Sequence, residues 1–85
     1  MFKKFLDRFK KRGAFKPLTI LVLEDWYKDE LKQQNHNPFG KEKYFIYFGE
    51  ITNMPGHGVF LGHLYGKIFS GYHIENFRVP TDDEF

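Results

Sequence analysis

The sequence contains no cysteine among its 85 residues. This absence excludes disulfide bonds, thiolate zinc sites and cysteine nucleophiles, so only histidine and carboxylate groups remain for metal binding or acid-base chemistry. Serine is scarce as well, because Ser70 is the only one. It lies mid-strand, without the G-x-S-x-G turn that presents a nucleophile, so we expect it to be a small residue facing the core.

Long hydrophobic runs are also missing. The longest apolar run covers residues 18–23, far below the roughly 20 residues that a membrane-spanning helix needs. Residues 1–13 lack the uninterrupted apolar segment of a signal peptide. The sequence therefore predicts a cytoplasmic protein.

Charge is distributed unevenly along the chain. Residues 1–13 hold six of the 13 lysines and arginines but only one acid, Asp7, and their net charge is +5. The rest of the chain carries seven cations and ten acids, a net charge of −3. Nucleic-acid-binding domains usually carry their basic surface on the folded body. Here only the N-terminal segment could supply that surface.

Residues 1–13 have the pattern of a basic amphipathic helix that ends at Gly13. The apolar positions recur at helical spacing and are Phe2, Phe5, Leu6 and Phe9. The cations that surround them, which form the basic arm, are Lys3, Lys4, Arg8, Lys10, Lys11 and Arg12. A helix this short is marginal alone in water, so its apolar stripe must dock on the protein's own core, on an anionic membrane or in a partner's groove.

Residues 14–80 carry the signals of a single β-rich domain. Residues 18–23 predict a central strand, and residues 43–52, rich in aromatic and β-branched side chains, predict the clearest strand of the chain. Residues 25–34 give a mixed signal, because Asp25 could cap a helical turn or the first strand could continue through Tyr27. Residues 35–40 have the composition of a loop.

A turn and a hairpin are predicted next. Pro55 and Gly56 suit the two central positions of a type II turn. If Tyr65-Gly66 is the tip of the hairpin, Phe60 lies opposite Gly71. The face of the hairpin that we expect to be buried carries Val59, Leu61, His63, Ile68, Ser70, Tyr72 and Ile74.

These signals predict a mainly β (α+β) fold in which a short amphipathic helix precedes a small curled antiparallel sheet or an SH3-like barrel of about five strands. The SH3-like alternative is an analogy of size and strand spacing. Gly49, Gly62 and Gly71 fit bending within strands. Aromatic residues make up 20% of the chain and can supply a core despite its size. Residues 81–85 are predicted to be a solvated acidic tail.

Histidines are the first candidates for chemistry. His57 and His73 should lie near each other at the open end of the hairpin, whereas His63 should lie on the opposite face from His73. Glu50 or Glu75 could add a carboxylate. A single tetrahedral site could not use all three imidazoles in this register, so we expect no metal and no cofactor.

Elimination leaves binding as the predicted function. Hydrolysis by paired carboxylates needs two acids that converge in a cleft. The acids at positions 24, 25, 29 and 30 are instead expected on a solvent-exposed edge, so we predict no enzyme. We predict a protein-interaction or regulatory module, with partner-binding residues Trp26, Tyr27, Tyr44 and Tyr72. Two alternatives stay open. One is single-stranded nucleic-acid binding by the basic arm beside an aromatic platform of Tyr44, Tyr47, Phe48 and Tyr72, and the other is membrane association through the N-terminal helix.

Overall fold

The computed structural model describes residues 15–84 of the chain. The predicted helix over residues 1–13, with the six cations of the basic arm, lies outside the described residues, as does Phe85. The elements in chain order are β1 (Ile20–Leu23), α1 (Asp25–Gln33), β2 (Phe45–Glu50), β3 (His57–Gly62), β4 (Ile68–His73) and β5 (Phe77–Arg78). Short 3-10 helices cover Ile74–Asn76 and Asp82–Glu84.

The described strands form one antiparallel sheet in the order β4-β3-β2-β1-β5. Within residues 15–84 this confirms a small, mostly β domain with a five-stranded antiparallel sheet and one α-helix. The sheet is open, because β4 and β5 are its two edges and do not pair with each other among the described residues. β1 lies inside the sheet, as its apolar sequence predicts, and it contacts β2 on one side and β5 on the other.

The segment with the mixed signal is helical. Glu24 is the N-cap residue in extended conformation, and the helix begins at Asp25, whose carboxylate lies in the first turn. An acid there and Lys32 in the last turn both suit the helix dipole. The strand therefore ends at Leu23, and Asp25 is the first helical residue rather than the cap. Leu31 is the buried residue that fixes α1 to the sheet.

The predicted register of the hairpin is wrong. Phe60 pairs with Phe69, and Leu61 pairs with Ile68, so Phe60 does not face Gly71. The connection is a four-residue loop over residues 63–66, closed by Gly62 N–H donating to the Lys67 carbonyl at 2.8 Å. Gly66 in this loop has φ +68°, a conformation that glycine adopts readily.

The type II turn predicted at Pro55-Gly56 is confirmed, since Gly56 has φ +80° and the His57 N–H donates to the Met54 carbonyl.

The predicted core face of the hairpin is wrong for most of its residues, although Ile74 is buried as expected. Phe60 and Phe69 are buried, whereas Ile68 and Ser70 are exposed. The rings remove more apolar area from water than the aliphatic side chains do, so their face is the one turned inward. Gly71 is an extra residue in β4, between the pairs Val59–Ser70 and Gly58–Tyr72. This bulge places Tyr72 on the inner side, and the φ of Gly71, +85°, requires glycine.

The core consists mainly of rings held by strands from both ends of the sheet. Phe60 of β3 stacks on Phe77 of β5 with centroids 3.9 Å apart. Phe39, from the loop before β2, contacts Phe45, Phe69 and Phe77 with centroids 5.0 to 6.1 Å away. Since β4 and β5 are opposite edges of the sheet, these contacts show that the sheet curls around one shared interior.

The acidic tail is fixed at one point. Arg78 donates two parallel hydrogen bonds to Glu84, from Nη1 to Oε1 at 2.6 Å and from Nη2 to Oε2 at 2.8 Å. The hydroxyl of Tyr44 donates to the Glu84 carbonyl. The guanidinium lowers the pKa of the Glu84 carboxyl from its usual 4.5 to about 2, helped by the Thr81 N–H. The prediction of a solvated tail is therefore wrong at Glu84.

Candidate protein-binding surfaces

Three of the four aromatic residues predicted to bind a partner meet at one end of the sheet. Trp26 and Tyr27 of α1 have ring centroids 5.7 Å apart, and Tyr27 lies 6.2 Å from Phe39. Tyr72 of β4 lies 5.0 Å from the same Phe39 ring. We call Trp26, Tyr27 and Tyr72 the aromatic rim: Tyr27 and Tyr72 both pack on the buried Phe39, and Trp26 packs on Tyr27.

A short turn places Phe39 at the centre of the rim. The Asn37 side-chain oxygen accepts the Phe39 N–H at 2.9 Å, and the Asn37 carbonyl accepts the Gly40 N–H at 3.3 Å. Asparagine often forms such turns with its own following backbone, and Gly40 has φ +62°. Phe39 is only 2% exposed. The loop predicted over residues 35–40 therefore anchors the rim to the core.

The rim residues are partly accessible. Trp26 is 39% exposed, while Tyr27 and Tyr72 are half-buried. Burial raises the pKa of the Tyr27 hydroxyl, the nearby Tyr72 and Glu30 raise it further, and a hydrogen bond with the Asn76 side chain opposes this rise. Tyr27 therefore keeps its proton at neutral pH and remains a hydrogen-bond donor. The rim offers flat apolar rings with polar edges.

Acidic side chains accompany the rim. Helix α1, which supplies two of its rings, carries the exposed acids Asp29 and Glu30, and Glu75 follows Tyr72 in the next 3-10 helix. Residues 15–84 carry seven cations and ten acids, so this part of the chain has a net charge of −3. The field of the described body favours a cationic ligand over an anionic one.

Tyr44, the fourth predicted residue, lies elsewhere. It contributes to a pocket on the outer face of the sheet with a volume of about 240 Å³, and the other lining residues are Ile20, Ile46 and His63.

The aromatic platform predicted for nucleic acid is not formed either. The Tyr47 side chain is buried on the inner face of the sheet, with its ring centroid 5.6 Å from that of Phe60. Phe48, in contrast, is exposed at a bulge in β2. Only Tyr72 of that platform belongs to the rim.

Sequence reasoning missed an apolar surface on the outer face of the sheet. Ile20 pairs with Ile46, Ile46 with Leu61, and Leu61 with Ile68. These four residues, which we call the outer row, cross β1, β2, β3 and β4 at one level. Ile20 and Ile68 are 41% and 53% exposed, and the inner two are half-buried. Strand alternation could have revealed the row only if the hairpin register had been known.

Two histidines meet where the hairpin opens, as predicted. His57 and His73 are direct cross-strand partners with ring centroids 4.1 Å apart. His57 Nδ1 lies 3.0 Å from the Pro55 carbonyl, and the Glu50 carboxylate accepts the Gly56 N–H at 2.6 Å. Across residues 15–84, no three histidine, aspartate or glutamate side chains converge so that they could hold a metal ion.

The comparisons with known proteins give no match. No protein-family model matches the chain, no curated protein is significantly similar to it, and no solved structure is significantly similar to its fold. None of the helices within residues 15–84 has both the length and the apolar character needed to cross a lipid bilayer. The arguments for function therefore rest on the surfaces described above.

Proposed function

We propose that this chain is a non-enzymatic protein-interaction module that binds an extended peptide of a partner protein at the aromatic rim. The observation that carries the proposal is the ring cluster in which Tyr27 and Tyr72 pack on the buried Phe39 and the exposed Trp26 packs on Tyr27. Tryptophan and tyrosine are the residue types that most often dominate binding energy in interfaces. Because Tyr27 and Tyr72 pack on Phe39, these two side chains have little freedom left to lose on binding.

The chemistry of the rim favours a proline-containing peptide with a lysine or arginine. Such peptides adopt the polyproline II conformation in advance and dock on aromatic-lined surfaces. The exposed acids Asp29 and Glu30 on α1 favour a cation beside the rings. The hydroxyl of the half-buried Tyr27, which interacts with the buried Asn76 side chain, is a polar group that could bond to a peptide backbone.

We propose further that the curled sheet is a partly open barrel of the SH3-like kind. Three features support this: β5 returns to pair with β1, a 3-10 helix joins β4 directly to β5, and Phe60 stacks on Phe77 across the interior. Small curled sheets of this kind bind peptides at their edges and grooves. A solution structure would test the proposal by showing whether the β4 and β5 edges stay close in the full chain.

Binding can be measured by calorimetry with the full chain and a synthetic proline-rich peptide that contains one arginine. We expect Trp26→Ala to weaken binding at least tenfold, about 1.4 kcal/mol, because the most exposed ring of the aromatic rim is lost. Tyr65→Ala is the matched control, since Tyr65 is an exposed aromatic residue in the hairpin loop, outside the rim. Equal affinities for the wild type, Trp26→Ala and Tyr65→Ala would contradict the proposal.

The same experiment separates the alternatives. Replacing the peptide arginine with glutamine should weaken binding, and added salt should reduce the difference between the two peptides. Salt-sensitive binding of an oligothymidine, unaffected by Trp26→Ala, would favour nucleic-acid binding through the basic arm. Binding only to anionic vesicles would favour membrane association. Either result in the absence of peptide binding would contradict the proposed function.

A further inference from the structure

We infer that residues 1–12 of the same chain dock on the outer row, and that their four apolar side chains cover Ile20, Ile46, Leu61 and Ile68. This surface lies on the outer face of the sheet, whereas the rings of the aromatic rim pack on its inner side. The two proposals can therefore fail independently. The inference rests on where the described chain begins, on the length of the segment before it, and on charge.

The chain enters the fold beside the first two members of the outer row. The Phe15 ring lies on the inner side of the sheet, 6.0 Å from the ring of the buried Tyr47, so residues 1–12 reach the outer face by passing around the end of β1. Leu18 N–H donates to the Tyr47 carbonyl, and Tyr47 N–H donates to the Thr19 carbonyl at 2.9 Å. Tyr47 follows Ile46 in β2. The three Cα steps from Arg12 to Phe15 span at most about 11 Å, so residues 1–12 must end near this strand pair.

The length of the segment matches the row. Four adjacent strands are separated by three spacings of about 4.8 Å, so the row is roughly 14 Å long. Twelve residues in helical conformation extend over about 18 Å. The segment can therefore reach from Ile20 on β1 to Ile68 on β4.

The chemistry of the two surfaces is complementary. The segment has four apolar residues at helical spacing, Phe2, Phe5, Leu6 and Phe9, and the row is formed by four aliphatic side chains. The segment carries a net charge of +5 over residues 1–13, whereas residues 15–84 carry −3. Docking in this way removes both apolar surfaces from water and leaves the lysines and arginines solvated.

The absence of cysteine allows a direct test by disulfide crosslinking in the full chain. We expect Phe5→Cys combined with Leu61→Cys to form an intramolecular disulfide under mild oxidation. Phe5→Cys combined with Gln33→Cys, an exposed position at the end of α1, is the matched control and should crosslink at least tenfold less. Mass spectrometry of the monomer and of its peptides identifies the bond.

A second measurement avoids introduced cysteines. In the full chain, Phe5→Gln with Phe9→Gln should shift the methyl NMR signals of Ile20, Ile46 and Ile68, while those of the buried Leu21 and Ile74 stay in place. The inference would be overturned if both cysteine pairs crosslinked equally, or if disulfides formed mainly between two copies of the chain. It would also be overturned if the double substitution left the outer-row methyl signals unchanged. It would also be overturned if the outer-row signals responded only when anionic vesicles were added.

Discussion

The carboxylate of Glu42 binds the backbone of the hairpin loop, and the absence of a side chain at Gly62 leaves space for that carboxylate. The carboxylate is 7% exposed and accepts two backbone hydrogen bonds, from Leu64 N–H to Oε1 at 2.7 Å and from Tyr65 N–H to Oε2 at 2.8 Å. A Cβ atom on Gly62 would lie 2.3 Å from Oε2 and 2.5 Å from Cδ of Glu42. Gly62→Ala must therefore displace a carboxylate that is already held in place.

We expect Gly62→Ala to lower the free energy of unfolding by about 2 to 5 kcal/mol. Hydrogen bonds to a charged group contribute about 1.5 to 3 kcal/mol each, and two of them are disturbed. The smaller chain entropy of alanine offsets about 0.5 to 1 kcal/mol of this loss. Domains of this size unfold with roughly 4 to 13 kcal/mol, so the loss is a large fraction of the total stability. Urea unfolding followed by the fluorescence of Trp26, the only tryptophan, measures the change.

A double-mutant cycle tests the physical cause. Glu42→Ala should itself be destabilising, because Leu64 and Tyr65 lose their acceptor. In the Glu42→Ala background, Gly62→Ala should no longer destabilise and should gain about 0.5 to 1 kcal/mol from the smaller chain entropy of alanine, since no carboxylate remains to be displaced. If Gly62→Ala destabilises both backgrounds equally, the clash with Glu42 is not the reason that glycine stands at this position.

Three further predictions concern the tail, the core and a bulge. Glu84→Gln should reduce the free energy of unfolding at pH 7 and make that free energy fall less steeply in acid. The reason is that the ionised Glu84 stabilises the fold fully above pH 4.5, and this stabilisation is lost as the pH falls through about 2. Acid titration monitored by circular dichroism checks this. Phe39→Ala should destabilise by about 3 to 5 kcal/mol in urea unfolding, whereas Trp26→Ala should change stability far less. Gly71→Ala should cost about 1 to 2 kcal/mol in the same assay, because its φ is +85°, and no cost would refute the bulge.

The local elements of this fold could be predicted from the sequence. The aromatic and β-branched residues of β2 and the Pro55-Gly56 turn gave correct elements, because strand propensity and turn geometry are properties of neighbouring residues. Gly49 and Gly71 were expected at bends, and both lie at bulges with positive φ. The meeting of Tyr27 and Tyr72 at Phe39, in contrast, needed the tertiary structure.

The errors have a common physical origin in contacts between residues distant in the chain. The loop over residues 63–66 is bonded by Glu42, about 20 residues earlier, and no local pattern reports that contact. A two-residue tip at Tyr65-Gly66 was therefore assumed, and the register shifted with it. Similarly, Glu84 looks like part of a solvated acidic run until Arg78 is placed beside it. The outer row exists only once four strands are in register.

The antiparallel pairing of β1 with β5 has a mechanical consequence. Val22 lies opposite Arg78, and Leu23 lies opposite Phe77. The entering end of β1 and the leaving end of β5 are therefore on the same side of the ladder. A force that pulls the two termini apart would load one hydrogen-bonded pair at a time, so the domain should open under tension much more easily than one whose terminal strands must slide past each other.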